Sequence, residues 1–164
     1  GKDAPSGLLV LPHFAGAATP YMDTGSKGAI LGLTTATTGA ELYRACMEGV
    51  AYEMRLNYEA LRDSGIRFEK LHATGGGARS KIWMQMKADV LNLPITAVKT
   101  VDAGTVGSAM LTGVAVGAFS DLRDAAAYMV QEMETYYPRK EMHQAYMTIY
   151  QRYKNVYNAV RPLM

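Results

Sequence analysis

The run Leu71-His72-Ala73-Thr74-Gly75-Gly76-Gly77-Ala78-Arg79-Ser80 constrains this chain more than any other segment. A short apolar stretch ends in three glycines and then enters a helical pattern from about Arg79 to Leu91. Three glycines remove three side chains at one point, so the backbone can turn sharply with positive φ and a flat ligand can lie against it. The helix that follows offers unpaired N–H groups and a partial positive charge at its start. Strand, bare loop and helix start together suit a nucleotide contact. The competing reading is that the glycines only turn the chain. Two common phosphate loops are excluded. A Walker A loop ends in Gly-Lys-Ser/Thr, whereas Arg79-Ser80-Lys81 here follows an alanine, and a dinucleotide fingerprint needs a glycine where Ser80 stands.

Composition narrows the setting. The 164 residues suffice for one domain with a real core. A net charge of +2 without a basic run gives nucleic acid little electrostatic support as a partner. Apolar residues make up 49% of the chain but form no uncharged membrane span. The longest low-charge stretch, Val101 to Phe119, contains Asp102 and many small residues and reads as a buried helix. No basic-then-apolar leader opens the sequence. The single cysteine, Cys46, rules out an internal disulfide and suits a reducing cytoplasm.

Along the chain, Gly1 to Gly7 reads as a polar loop, and Leu8-Leu9-Val10-Leu11, closed by Pro12, as a buried strand. His13 to Leu33 reads as an extended surface loop with a short strand within Gly28–Leu33. Thr38 and Glu41 form a capping-box pattern that opens a helix running to Asp63 and ending at Ser64-Gly65. Leu42, Cys46, Gly49, Glu53, Leu56 and Ala60 share one face, and Ala45, Gly49 and Ala51 keep part of the surface thin. Phe68–Ala73 is the strand that feeds the glycines. Ile82, Trp83, Met86, Val90 and Leu91 follow at helical spacing, with Trp83 expected to pack under the loop. Ile95–Val98 is a further strand, and Asp102 opens a helix with Val106, Met110, Gly113, Val114 and Gly117 down one side. A short amphipathic helix is expected from Ser120 to near Glu134, and a last helix from Arg139 to Ala159 with Met142, Tyr146, Ile149, Tyr150, Tyr153, Val156 and Tyr157 on its apolar face.

Seven of the eleven tyrosines lie between Tyr128 and Tyr157. Their spacing is helical and acidic residues are interspersed, which favours an amphipathic helix over a base-stacking ladder. His13, His72 and His143 lie in different elements and give no metal-ligand spacing with Cys46, which reads as a small core residue rather than a nucleophile.

Several segments, in order, resemble the C-terminal half of the FGGY carbohydrate kinases. Phe14-Ala15-Gly16 with Pro20-Tyr21-Met22-Asp23, Lys27-Gly28-Ala29-Ile30-Leu31-Gly32-Leu33-Thr34, and the helix Glu41 to Tyr52 match that family's pattern. Thr74-Gly75-Gly76-Gly77-Ala78-Arg79-Ser80, continuing as Trp83 to Leu91, resembles its adenosine-binding turn and helix. Gly104 to Gly117 and the tail Tyr150-Gln151-Arg152-Tyr153 to Leu163 also fit. The resemblance implies an α/β fold: the C-terminal half of an actin-like ATPase (ribonuclease H-like) fold, incomplete, with helices packed on a small mixed sheet.

It also implies roles. Gly75, Gly76 and Gly77 approach adenine and ribose, Ser80 offers a polar side chain to the adenine edge, and Asp23 and Lys27 fix the loop before Gly28. Arg79 is either near the ligand or a solvated helix-start residue. Ala17-Ala18-Thr19 replaces the Glu-Arg of many relatives, which leaves the sugar open. The resemblance begins near residue 8. The family's sugar-binding N-terminal domain, its catalytic aspartate and its Gly-Thr phosphate loop therefore have no counterpart in residues 1–164. The expectation is a C-terminal, nucleotide-side fragment of a cytoplasmic sugar or polyol kinase that uses ATP and Mg²⁺. The fragment itself carries no catalytic residue and no metal ligand, is inactive alone, and is open to self-association. The alternatives are a non-catalytic scaffold that packs partners on the thin faces at Ala45/Gly49 and Gly113/Gly117, or another actin-like ATPase such as an acetate-kinase or sugar-sensing relative.

Overall fold

The computed structural model describes residues 4–99 and 102–164. These form two compact units, one of residues up to 68 with 89–92 and 138–164, the other of residues 69–88 and 93–137.

In the first unit, β1 (Leu9–Leu11) pairs antiparallel with β2 (Ala29–Leu31), Val10 opposite Ile30. Helix α1 (Gly39–Asp63) starts where its sequence says it should. Thr38 accepts from the Glu41 N–H, and Glu41 accepts in return from the Thr38 N–H. The helix stops at Ser64, and Gly65 turns the chain at φ +90°. The thin face has a use within the chain itself: α1 packs on β1, and a Cβ on Gly49 would lie 2.2 Å from the Val10 carbonyl oxygen. Leu42 and Cys46 pack beside Ala45 against Leu8 and Val10.

Tyr52, absent from the expected face, is 1% exposed. Its ring lies 6.4, 6.0 and 5.1 Å from those of Tyr146, Tyr150 and Tyr153. These three belong to α5 (Lys140–Tyr153), so the tyrosine stripe is core and not a stacking surface. Carboxylates of α1 satisfy two of the phenols, Tyr150 donating to Glu59 at 2.8 Å and Tyr153 to Glu53 at 2.6 Å, while the Tyr146 hydroxyl accepts from Arg44 at 3.0 Å. Burial raises the Tyr146 hydroxyl to about 12. The expected single last helix is in fact two. The Asn155 N–H tightens onto the Arg152 carbonyl, and α6 (Val156–Val160) begins after it.

Other expectations in this unit also change. His13 to Leu33 is not uniformly superficial. His13 and Ser26 are buried and bonded to each other at 2.7 Å, and the His13 ring contacts Tyr21 and Tyr157. Asp23 fixes the loop as expected, accepting from Gly25 N–H and from Tyr157 O–H at 2.8 Å and pairing with Arg161. Gly1, Lys2 and Asp3 lie outside the described residues. Of the rest of that opening segment, Ser6 is buried and donates its N–H and O–H to the fully buried Glu48, whose other partner is Arg44.

The second unit carries a three-stranded mixed sheet. β3 (Leu71–Ala73) runs parallel to β4 (Ile95–Val98), and β4 runs antiparallel to β5 (Glu132–Tyr136). β5 overturns the expected helix from Ser120 to Glu134. Helix α4 (Leu122–Met129), capped by Asp121, ends where Val130 turns extended, and the following residues find their partner in β4. Thr96 and Thr135 face each other and share a hydroxyl hydrogen bond of 2.9 Å. α2 (Lys81–Leu91) buries Met84, Met86, Ala88, Asp89, Val90 and Leu91. Of the expected inner face Met86, Val90 and Leu91 are buried, joined by Met84 and Ala88, whereas Ile82 is 71% exposed in the first turn of the helix.

Helix α3 (Ala103–Ala115) is capped by Asp102 as expected and contacts α4, but it buries no residue fully. The low charge of the Val101–Phe119 stretch reflects its small Gly, Ala, Ser and Thr residues rather than a buried position; Val101 itself lies outside the described residues. A Cβ on Gly113 would meet the Phe119 ring at 2.6 Å.

Candidate functional site

The glycine turn lies at the carboxyl end of β3, next to the carboxyl end of the parallel strand β4. This is the edge at which open α/β sheets present ligand sites. Gly75 has φ +81° and nothing within 4 Å of a would-be Cβ, so the glycine there serves backbone conformation. Gly76 opens a single 3-10 turn (Gly76–Arg79) and also has nothing within 4 Å. Gly77 is thin for packing: a Cβ would lie 3.2 Å from the Trp83 ring and 3.3 Å from Lys87 Nζ. Trp83 therefore sits under the loop as expected, with Lys87 Nζ 4.1 Å from its ring centroid. Burial pushes the Lys87 ammonium down. Ser80 caps α2, its hydroxyl accepting from the Trp83 N–H at 3.3 Å, which leaves its own O–H free to donate outward.

Beside the turn is a pocket of about 380 Å³. Gly75, Ala78 and Arg79 form the wall on the turn side, joined by Lys81 from the first position of α2. The opposite wall comes from Ala97, Val98 and Lys99 at the end of β4 and from Met133, Glu134 and Tyr136 on β5. The volume falls in the roughly 300–1,000 Å³ range of small-molecule sites. Glu134 is held by Lys81 at 3.1 Å and by the Tyr136 O–H at 2.9 Å. Those two contacts draw its carboxyl below the usual carboxylate range, so it is ionised at neutral pH. Arg79 and Lys99 face no carboxylate among the described residues, so the rim carries two uncompensated positive charges.

The structure thus gathers the four expected residues at one place but gives them different duties. Gly75 borders the pocket, Gly76 opens the 3-10 turn, Gly77 packs on Trp83 and Ser80 caps the helix. Lys81, Lys99, Glu134 and Tyr136 were not anticipated; β5 delivers two of them, and no local pattern announced that strand. Among the described residues, no group of three or more His, Cys, Asp or Glu side chains converges as a metal site, so no Mg²⁺ ligand set is assigned to this chain. No helix is long and apolar enough to cross a membrane, among the described residues.

This architecture is shared with solved sugar kinases. A xyloylose kinase from Brucella ovis superimposes with a TM-score of 0.88 at 33% identity, over 100% of this chain and 34% of that one. Gluconate kinase from Lactobacillus acidophilus superimposes with a TM-score of 0.84 at 28% identity, over 96% of this chain and 32% of that one. The fold is therefore the C-terminal half of an actin-like ATPase fold. The profile of the FGGY family of carbohydrate kinases, C-terminal domain, matches residues 2–116, and the chain belongs to that family. Among curated relatives, xylulose kinase from Bacillus subtilis (strain 168) is 30% identical over 158 residues, 96% of this chain and 32% of the relative. Glycerol kinase from Alkaliphilus oremlandii (strain OhILAs) is 38% identical over 117 residues, 71% of this chain and 23% of the relative. The chain spans about a third of the length of the first curated relatives it matches.

Proposed function

We propose that all 164 residues form the nucleotide-side domain of an ATP-dependent kinase that transfers the γ-phosphate to a hydroxyl of a sugar or polyol. The observation that carries this reading is the Gly75-Gly76-Gly77 turn, open on its outer side and set at the carboxyl edge of β3 and β4 in a chain of the carbohydrate-kinase family. The open backbone of Gly75 and Gly76 admits the flat adenosine, the Ser80 O–H donates to its edge, and the start of α2 contributes its positive dipole end. The names of the relatives, xylulose, glycerol and gluconate kinases, support an alcohol acceptor in a small carbohydrate without selecting among them.

Phosphoryl transfer depends on in-line positioning, Mg²⁺ and charge stabilisation around the γ-phosphate. The described residues furnish a wall for adenosine and no general base aimed at an acceptor. The chain by itself therefore binds nucleotide weakly and turns over no sugar; the sugar-binding groups and the catalytic aspartate belong to a further domain. Of the two thin faces that a scaffold role would use, Gly49 is filled by β1 and Gly113 by Phe119 within the chain.

Adding ADP to ¹⁵N-labelled protein tests the reading. The amides of Gly75, Gly76, Gly77 and Ser80 are expected to shift first. Shifts confined to other parts of the chain would overturn the placement, and measurable phosphorylation of xylulose or glycerol by the isolated chain would overturn the claim that it is inactive alone.

A further inference from the structure

We infer that His13 and Glu53 form a proton-operated latch: when the His13 ring takes up a proton, its Nε2–H donates to the Glu53 carboxylate and draws the loop between β1 and β2 onto α1.

His13 is 4% exposed. Its Nδ1 has a partner, the Ser26 hydroxyl at 2.7 Å, but its buried Nε2 makes no hydrogen bond among the described residues. A buried polar atom without a partner is rare and calls for a reason. The atom it faces supplies one: Glu53 Oε1, from α1, lies 3.5 Å from Nε2. A charge-assisted N–H···O bond spans about 2.7–2.9 Å, so the latch is open in this structure.

Protonation satisfies both ring nitrogens at once, because an imidazolium donates from each. Nε2–H then meets Glu53, and closing the gap moves the loop toward α1 by about 0.7 Å. Nδ1–H meets Ser26 Oγ, whose own hydrogen must turn away, and Met164 Sδ stands 3.9 Å from that oxygen to receive it. The Lys27 N–H already donates to the same sulfur at 3.1 Å. The other neighbours also suit a cation. The Tyr21 and Tyr157 ring centroids lie 5.6 and 5.7 Å from that of His13, inside the ~6 Å range of cation–π attraction. Tyr153, from α5, donates to Glu53 Oε1 at 2.6 Å; burial and the nearby Glu53 keep that phenol and the Tyr21 phenol protonated. Asp23 and Arg161, reached through Tyr157, pair with each other and leave Glu53 as the charge the ring meets. Histidine ordinarily changes charge between about pH 5 and 8. The charged form gains its partner only in the folded loop, so the tightening is present on the acid side and lost as pH rises.

The test is NMR of the histidine ring nitrogens in ¹⁵N-labelled protein from about pH 8 to about pH 5.5, with solvent exchange of the Ser26 and Lys27 amides measured at both ends. Both His13 nitrogens are expected to become protonated over that range. Exchange at Ser26 and Lys27, corrected for its intrinsic pH dependence, is expected to slow by about threefold or more on the acid side. Glu53→Gln keeps an acceptor for Tyr153 but loses the charge, and His13→Gln cannot titrate; in each the slowing is expected to vanish. His72→Gln, on β3 in the other compact unit, should retain it. Circular dichroism verifies the fold of each variant. A His13 ring still neutral at the acid end overturns the inference, and that reading of the wild type decides whether or not the variants fold. A ring that protonates without slowing exchange at Ser26 or Lys27, or slowing that persists in Glu53→Gln or His13→Gln, overturns it as well.

Discussion

Gly49→Ala places a methyl group where β1 already lies. The added Cβ would sit 2.2 Å from the Val10 carbonyl oxygen and 3.2 Å from its carbonyl carbon. Restoring ordinary van der Waals distance requires the strand to retreat by about 1.2 Å. Val10 is 1% exposed and paired with Ile30, so the retreat disturbs both the core and the β1–β2 ladder. Overpacking of this kind costs ~1–3 kcal/mol, and a clash with backbone belongs at the upper end. Alanine returns about 1 kcal/mol of helix propensity. The net expectation is a loss of about 2 kcal/mol, or a Tm lower by about 4–8 °C for a chain of this size.

The assay is urea and thermal unfolding followed by far-UV circular dichroism. Fluorescence of the only tryptophan, Trp83, reports the other compact unit. Gly107→Ala is the counterpart: that glycine is also helical, in α3, but has nothing within 4 Å of its would-be Cβ. It should stabilise by ~0.5–1 kcal/mol. A Gly49→Ala protein as stable as the wild type, or more so, would refute the close approach of β1 to α1.

Other consequences are as direct. Arg44→Met removes the cation from the fully buried Glu48, leaving only Ser6 beside it, and is expected to destabilise by ~3–5 kcal/mol; Arg44→Met with Glu48→Gln should lose less, as read by urea midpoints. The pH dependence follows from carboxylates held down by partners. The Tyr157 hydroxyl, with help from Gly25 and Arg161, keeps Asp23 below its usual 3.8. At Glu59 burial pushes upward, and the hydrogen bonds from Arg55 and Tyr150 outweigh it, keeping the group below 4.5. A depressed carboxylate stabilises fully above its unfolded pKa, and that contribution is lost as pH falls through the folded value. Stability against urea should therefore hold from neutrality to about pH 4.5 and fall below it. Asp23→Asn should be weaker at pH 7 and show a shallower acid limb; an acid limb unchanged in that variant would contradict the assignment.

What could be read from the sequence was local. Thr38 and Glu41 announced α1 because a capping box closes on itself within one turn, and Asp102 announced α3 for the same reason. Gly49 was legible as a thin spot, although only the structure identifies β1 as its neighbour. β5 was hidden because Glu132–Tyr136 is a strand only through its pairing with β4, roughly forty residues away, and its charges suit an exposed helix equally well. The glycine turn stood out because three adjacent glycines are a backbone signal. Glu134 and Lys99 did not, since a lone charge on a short strand says nothing until the sheet register brings it beside Gly75. Ile82 misled because it stands in the first turn of α2, where its side chain is exposed although Met86, Val90 and Leu91 of the same expected face are buried.

The most direct test of the central claim is a calorimetric titration of Mg²⁺–ADP into this chain and into Gly76→Val. Gly76 has open space around it, so valine is accommodated by the fold while its branched side chain occupies the ground on which adenosine would lie. Weak binding by the wild type that the valine abolishes is the predicted result. Binding of equal strength in both proteins would contradict it, because the nucleotide would then be held somewhere other than the glycine turn.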